Sequence, residues 1–234
     1  MKISEMFESW KTEGYGQAWV KGLIMFIKMF VGMLPIMIGY SLLAFLITLP
    51  IGGLSAIADR SDSGSMQALV AGGAFITHIV YSILFAVLVA VLSIMSAVAG
   101  MTVRDKGDFN IPDLWYFFQA PNKGTIVVTL FIQSIMLSIG YAACLLPGIV
   151  LAILTAYVPY ILLVKPEMQS PIAVIKYSIH LVASNIGIYL GAFVDVLLMS
   201  LIGGCCCILY PMVYPYMIKR LAEAFVDSYV ADNR

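Results

Sequence analysis

Asp195 is the only acidic or basic residue in the apolar run from Ile186 to Ile202. A carboxylate at the middle of a membrane helix costs roughly 2.5–3.5 kcal/mol on insertion scales. Residues that carry such a cost mark proton or ion paths, or pair inside a bundle. Two readings follow. Asp195 is either a protonatable group facing a cavity, or a protonated carboxyl bonded to Ser200, Tyr189 or a backbone carbonyl. His78 lies in another apolar run, between Thr77 and Tyr81. Beside Asp195 it would complete a proton relay; alone it would join helices by a hydrogen bond.

Other constellations carry less chemistry. Cys144, Cys205, Cys206 and Cys207 form no Cys-x-x-Cys pair, and no His or acidic residue stands at metal-like spacing beside them. This pattern argues against a zinc site. Cys205 to Cys207 follow Gly203-Gly204, which reads as a tight hairpin of small residues or as a site of lipidation or redox chemistry. Trp115-Tyr116-Phe117-Phe118 reads as an interfacial anchor, or as a platform for lipid or partner. Lys176 and His180 share a helical face and are the polar groups an intramembrane lipid enzyme would use. Phosphate-binding Gly-rich loops, His-Glu-x-x-His, Gly-x-Ser-x-Gly and paired carboxylates are absent from the sequence. No catalytic residue, metal ligand or cofactor is assigned, and a non-enzymatic protein is expected.

The elements that would position these residues are apolar helices. Of the 234 residues, 62% are hydrophobic and 11% are charged. A soluble domain keeps about 25% charged residues, so this chain belongs in a bilayer. Its zero net charge supplies no basic field for nucleic acid. The longest polar stretch, Arg104 to Gly124, is far below the ~50 residues of a soluble domain. Residues 1–20 carry Glu5, Glu8 and Glu13 and lack a cleavable apolar core, so the first span is expected to act as an uncleaved signal.

Hydrophobicity divides one membrane domain into an N-terminal interfacial helix (1–21), a first hairpin (22–103) and a loop with an interfacial helix (104–124). A second hairpin (125–164), another interfacial helix (165–185) and a third hairpin with a tail (186–234) follow. The expected fold is an all-α bundle of about six spans. Pro35 and Pro50 fall within the first span, Pro147-Gly148 is the expected turn of the second hairpin, and Gly203-Gly204 that of the third. Residues 186–218 form either two short spans or a re-entrant pair. Alternating the loops puts twelve of the thirteen Lys and Arg on one side, with Arg60 alone opposite. Such asymmetry orients membrane proteins, so both termini are expected on the cytoplasmic side of the inner membrane.

Three segments are amphipathic: Ile3 to Trp10, Ile111 to Gln119, and the helix begun by Ser170-Pro171. In the last, Ile172, Ile175, Ile179 and Val182 oppose Lys176, His180 and Ser184. Such helices lie in the headgroup plane, apolar face down. Each precedes an odd-numbered span, which suggests a threefold repeat of hairpins. Gly32, Gly39, Gly187 and Gly191 are expected to let helices approach closely.

Leu146-Pro147-Gly148, Pro159, Ser170-Pro171, Ala173, Lys176-Tyr177-Ser178 and Asn185 occur in an order that resembles a family. It is the group of YciC-like multi-pass proteins and the membrane domain attached to some glycerophosphodiester phosphodiesterases. The likeness covers about Leu145 to Tyr229, with Ala173 one residue earlier than the family's pattern. It implies a six-helix membrane fold and carries over no catalytic residue.

The expected function is to transport or accommodate a small or lipidic molecule. The alternative is a scaffold that docks another membrane protein. The expected partners are membrane lipids, another membrane protein or a second copy of the chain.

Overall fold

The structure, a computed structural model, describes residues 3–58, 64–205 and 209–233. Arg60, Cys206 and Cys207 lie outside the described residues, as do the side chains of His78 and Cys205. The protein is all-α: every regular element among the described residues is a helix.

A short helix α1 (Ile3–Glu13) is followed by two long ones, α2 (Tyr15–Ala58) and α3 (Gly64–Lys106). Gly14 turns the chain between α1 and α2 at φ 85°, a conformation that favours glycine. The expected interfacial segment 1–21 is therefore divided, since Tyr15 to Lys21 already belong to α2. Pro35 and Pro50 lie inside α2 without ending it. The remaining elements are α4 (Ile111–Leu114), α5 (Tyr116–Gln119), α6 (Lys123–Ala143), α7 (Leu145–Leu154), α8 (Val158–Val164), α9 (Pro171–Ser184), α10 (Ile186–Cys205) and α11 (Tyr210–Asp232).

Among the described residues, five segments are long and apolar enough to cross a membrane: Tyr15–Pro50, Val80–Lys106, Lys123–Tyr141, Leu145–Val164 and Ile186–Gly204. The sixth expected span, in α11, is not one of them. Lys219, Arg220, Glu223 and Asp227 interrupt it after a short apolar start. The second hairpin also turns earlier than expected. The chain is extended at Cys144 (φ −173°, ψ 150°), and Pro147 falls in the first turn of α7. A proline there sacrifices no helical hydrogen bond. Gly148 instead lets α7 close on the Tyr141 ring, where a Cβ would collide.

One end of the bundle is marked by basic residues. There Lys28 Nζ donates to Asp108 Oδ2 at 2.6 Å and to the Phe109 carbonyl at 3.0 Å, locking the start of α2 to the loop after α3. Helix α11 touches this end repeatedly. Its Pro211 packs on Gly22 of α2, and its Ile218 on Gly100 of α3. Its C-terminal half reaches Tyr157, Tyr160 and Tyr177. Helices α10 and α11 both reach α1: Met199, Met212 and Val213 share a core with Met6, Trp10 and Ala18. At the start of α11, Tyr210 and Pro211 lie beside Phe26 and Gly22 of α2.

Each amphipathic segment buries part of its apolar face against protein and leaves part exposed. On α1, Met6 and Trp10 are buried against α10 and α11, and Phe7 is exposed. On α9 the buried face is Val174, Ile175, Ser178, Leu181 and Val182, while Ile172 is exposed. That helix packs among α6, α7, α8 and α11. Of the expected close-packing glycines, Gly32 meets Leu114, but Gly39, Gly187 and Gly191 have open space where a Cβ would stand.

Candidate functional site

Proline removes an N–H and so orphans the carbonyl four residues earlier. In lipid that carbonyl needs a protein partner. Pro159 cannot donate to Thr155, and the helix breaks between α7 and α8 at Thr155–Tyr157. The Thr155 carbonyl accepts instead from Gln133 Nε2 at 2.9 Å and from the Val158 N–H at 3.2 Å. Gln133 Nε2 also lies 3.2 Å from Thr155 Oγ1. The Leu154 carbonyl, left by Val158, accepts from Ser178 Oγ at 3.0 Å. Pro166 orphans Leu162 in the same way, and Asn122 Nδ2 donates to that carbonyl at 3.1 Å. Three side chains from α6, α9 and the turn before α6 thus satisfy the backbone of an interrupted span.

A groove runs beside the break. It is lined by Leu92, Ser93 and Ser96 of α3, Gln133 of α6, Ala156, and Pro159 and Tyr160 of α8. No charged side chain lines it. Ser93 Oγ donates to its own helix at Val89. The amide nitrogen of Gln133 serves Thr155, which leaves its amide oxygen as the acceptor for a visitor. The arrangement suits a neutral or amphiphilic guest with one hydrogen-bonding group.

No protein family, curated protein or solved structure matches this chain. The site residues therefore stand on their geometry alone.

Asp195 pairs with a basic residue, not with Ser200 or Tyr189. Its Oδ2 accepts from Arg220 Nε at 2.9 Å. Both side chains are largely buried, at 20% and 13% exposure. Ser200 Oγ is directed to the Val196 carbonyl, and Tyr189 packs its ring on Tyr157 and Phe193. Sequence reasoning missed Arg220 because it assigned the residue to the cytoplasm with Lys219. In the structure Arg220 lies midway along α11, where the Asp195 carboxylate offsets its burial.

His78 lies within α3, and its side chain is outside the described residues, so the relay it would make beside Asp195 falls outside them too.

Lys176 and His180 are both exposed on α9, and His180 Nε2 stands 3.2 Å from Asp232 Oδ1 at the end of α11. The Tyr177 hydroxyl donates to Asp232 Oδ2 at 3.2 Å. Lys165 Nζ lies 4.3 Å from the Tyr177 ring centroid and 5.1 Å from that of Tyr229. Burial pushes the Tyr177 phenol above its ordinary value; Lys165 opposes the rise and Asp232 adds to it. This cluster ties α9 to α11.

Trp115 is half-buried, stacked on Phe118 at 5.3 Å, and packs on the main core. It braces α4 and α5, and only Tyr116 and Phe118 of that cluster are exposed. Among the described residues no group of His, Cys, Asp and Glu is placed to hold a metal ion.

Proposed function

We propose that this membrane protein accommodates a small or lipidic molecule, without chemical transformation, in the groove beside the α7–α8 break. The interrupted span carries this reading. Irregular backbone at membrane depth persists where it is buried in protein or lines a cavity, and broken helices form the binding sites of many transporters. Here the break is hydrogen-bonded by Gln133 and Ser178 and opens beside an uncharged groove. The reading includes an inner-membrane location with cytoplasmic termini, supported by the basic residues gathered near Lys28, Arg104 and Lys165. It also includes kinship of Leu145 to Tyr229 with the YciC-like group. Supporting this, Pro159 starts α8, and Ser170 caps α9, its Oγ accepting from the Ala173 N–H at 3.4 Å.

The test is native mass spectrometry of the full chain released from detergent micelles. A bound small molecule or lipid is expected, lost in Ser96→Leu, which fills the groove and leaves the Gln133–Thr155 bond untouched. A chain that carries no adduct, or whose adduct survives Ser96→Leu, refutes the site.

A second reading, a docking scaffold, has one observation in its favour. Phe30, Leu34, Ile38, Leu42 and Phe45 form an exposed stripe along α2. Photocrosslinkers placed at Leu34 and Leu42 would yield one discrete protein adduct for a scaffold, and lipid adducts only for the first reading.

A further inference from the structure

A second cleft, separate from the groove, opens at the basic end between α1, the start of α2, the end of α3 and α11. Ser9, Glu13, Lys21, Tyr216 and Lys219 bring its polar groups together from positions far apart in the chain. Lys21 Nζ lies 3.8 Å from Glu13, and Lys219 Nζ lies 3.8 Å from Glu223. Both separations exceed hydrogen-bond length, so each ammonium is steered by a carboxylate yet keeps donors to offer. Ser9 Oγ and the Tyr216 hydroxyl lie 2.8 Å apart. One hydrogen satisfies that pair, and the other hydroxyl hydrogen is left to turn outward. The cleft thus gathers two ammonium groups, each with a carboxylate at 3.8 Å, and one hydroxyl donor.

Lys21 and Met25 also line an adjoining apolar groove along α2. Its wall includes Val20 and Ile24, which are 50% and 48% exposed. The carboxylate of that groove, Asp108, is held by Lys28 at 2.6 Å. A lysine- and hydroxyl-bearing cleft continuous with an apolar channel, at the end of the first span, matches a phosphate on an acyl-bearing backbone. We infer that this cleft binds the phosphate headgroup of an anionic phospholipid, with an acyl chain lying over Val20 and Ile24.

The test uses the purified full chain in neutral detergent and follows its thermal unfolding. Three probes are compared: short-chain phosphatidylglycerol, phosphatidylcholine of the same chain length, and inorganic phosphate. Phosphatidylglycerol is expected to raise the midpoint, phosphatidylcholine to leave it unchanged, and inorganic phosphate to act only at much higher concentration. Lys21→Gln with Lys219→Gln should raise the half-saturating phosphatidylglycerol concentration about tenfold or more, since each lysine near an anionic lipid surface contributes on the order of 1 kcal/mol. Lys21→Arg with Lys219→Arg should retain the response, as should Lys106→Gln outside the cleft. If the double glutamine variant loses its cooperative transition, Val20→Asn with Ile24→Asn on the exposed wall decides. That pair should weaken phosphatidylglycerol and leave the phosphate response as it was. Equal responses to both lipids, or to lipid and inorganic phosphate, or an unaltered response in both double variants, would overturn the assignment.

Discussion

Asp195 and Arg220 meet across the α10–α11 hairpin, Oδ2 to Nε at 2.9 Å, with nine residues of α10 before the carboxylate and ten of α11 before the guanidinium. A charged pair removed from water is worth little as a pair, but its loss by halves is costly. Asp195→Leu alone and Arg220→Met alone should each destabilise the protein by about 3 kcal/mol, because each leaves one buried group unpaired. Asp195→Leu combined with Arg220→Met should recover most of that loss. Thermal unfolding of the three variants in one detergent measures the coupling. Additive losses would mean that the two side chains act independently.

The break between α7 and α8 depends on borrowed donors. Gln133→Leu removes the donor to the Thr155 carbonyl, and Ser178→Ala the donor to the Leu154 carbonyl. Each should destabilise by about 1–3 kcal/mol, the cost of a buried acceptor left bare. Hydrogen exchange should rise at Thr155 to Val158 before it rises elsewhere. Uniform exchange across the bundle would disprove a local role.

Glycine substitutions separate contact from composition. A Cβ on Gly100 would stand 2.6 Å from the Ile218 carbonyl, and one on Gly22 would collide with the Pro211 carbonyl. Gly100→Ala and Gly22→Ala should therefore push α11 off α2 and α3 and lower stability by roughly 1–3 kcal/mol. Gly187→Ala and Gly191→Ala meet open space and should be neutral, or stabilising by up to about 1 kcal/mol through helix propensity. Denaturation midpoints of the four variants check this ordering.

The third hairpin makes a topological prediction. With the native cysteines replaced by serine, single cysteines at Thr12, Leu146 and Gly204 can be labelled with an impermeant maleimide in sealed vesicles. Thr12→Cys and Gly204→Cys should react from the same side, and Leu146→Cys from the other. Labelling of Gly204→Cys together with Leu146→Cys would restore the simple six-span alternation.

Asp232 holds both the Tyr177 hydroxyl and His180 at the end of α11. Asp232→Ala should loosen the last turn of α11 from α9, seen as faster proteolysis after Tyr229, with the midpoint of global unfolding moved by less than about 1 kcal/mol. A large global loss would place this contact in the core.

Much of the fold was legible because hydrophobicity and helix signals act locally. Apolar runs located the crossing helices, α3 runs as one long helix as its uncharged stretch requires, and Ser170-Pro171 starts α9 where a capping serine and N1 proline must. The prolines were legible as interruptions, but the residues that answer them were not. Gln133 stands 22 positions from Thr155, and Asn122 stands 40 from Leu162. Periodicity carries no information about such pairings.

By itself the sequence determined an all-helical protein with segments apolar enough to cross a bilayer, because the cost of moving residues between water and lipid is summed along each segment. Only the tertiary structure decided that Asp195 faces Arg220, and that α10 and α11 pack on α1. Those outcomes depend on which helix faces meet, and a charge or an orphaned carbonyl specifies the kind of partner it needs without specifying where in the chain that partner lies.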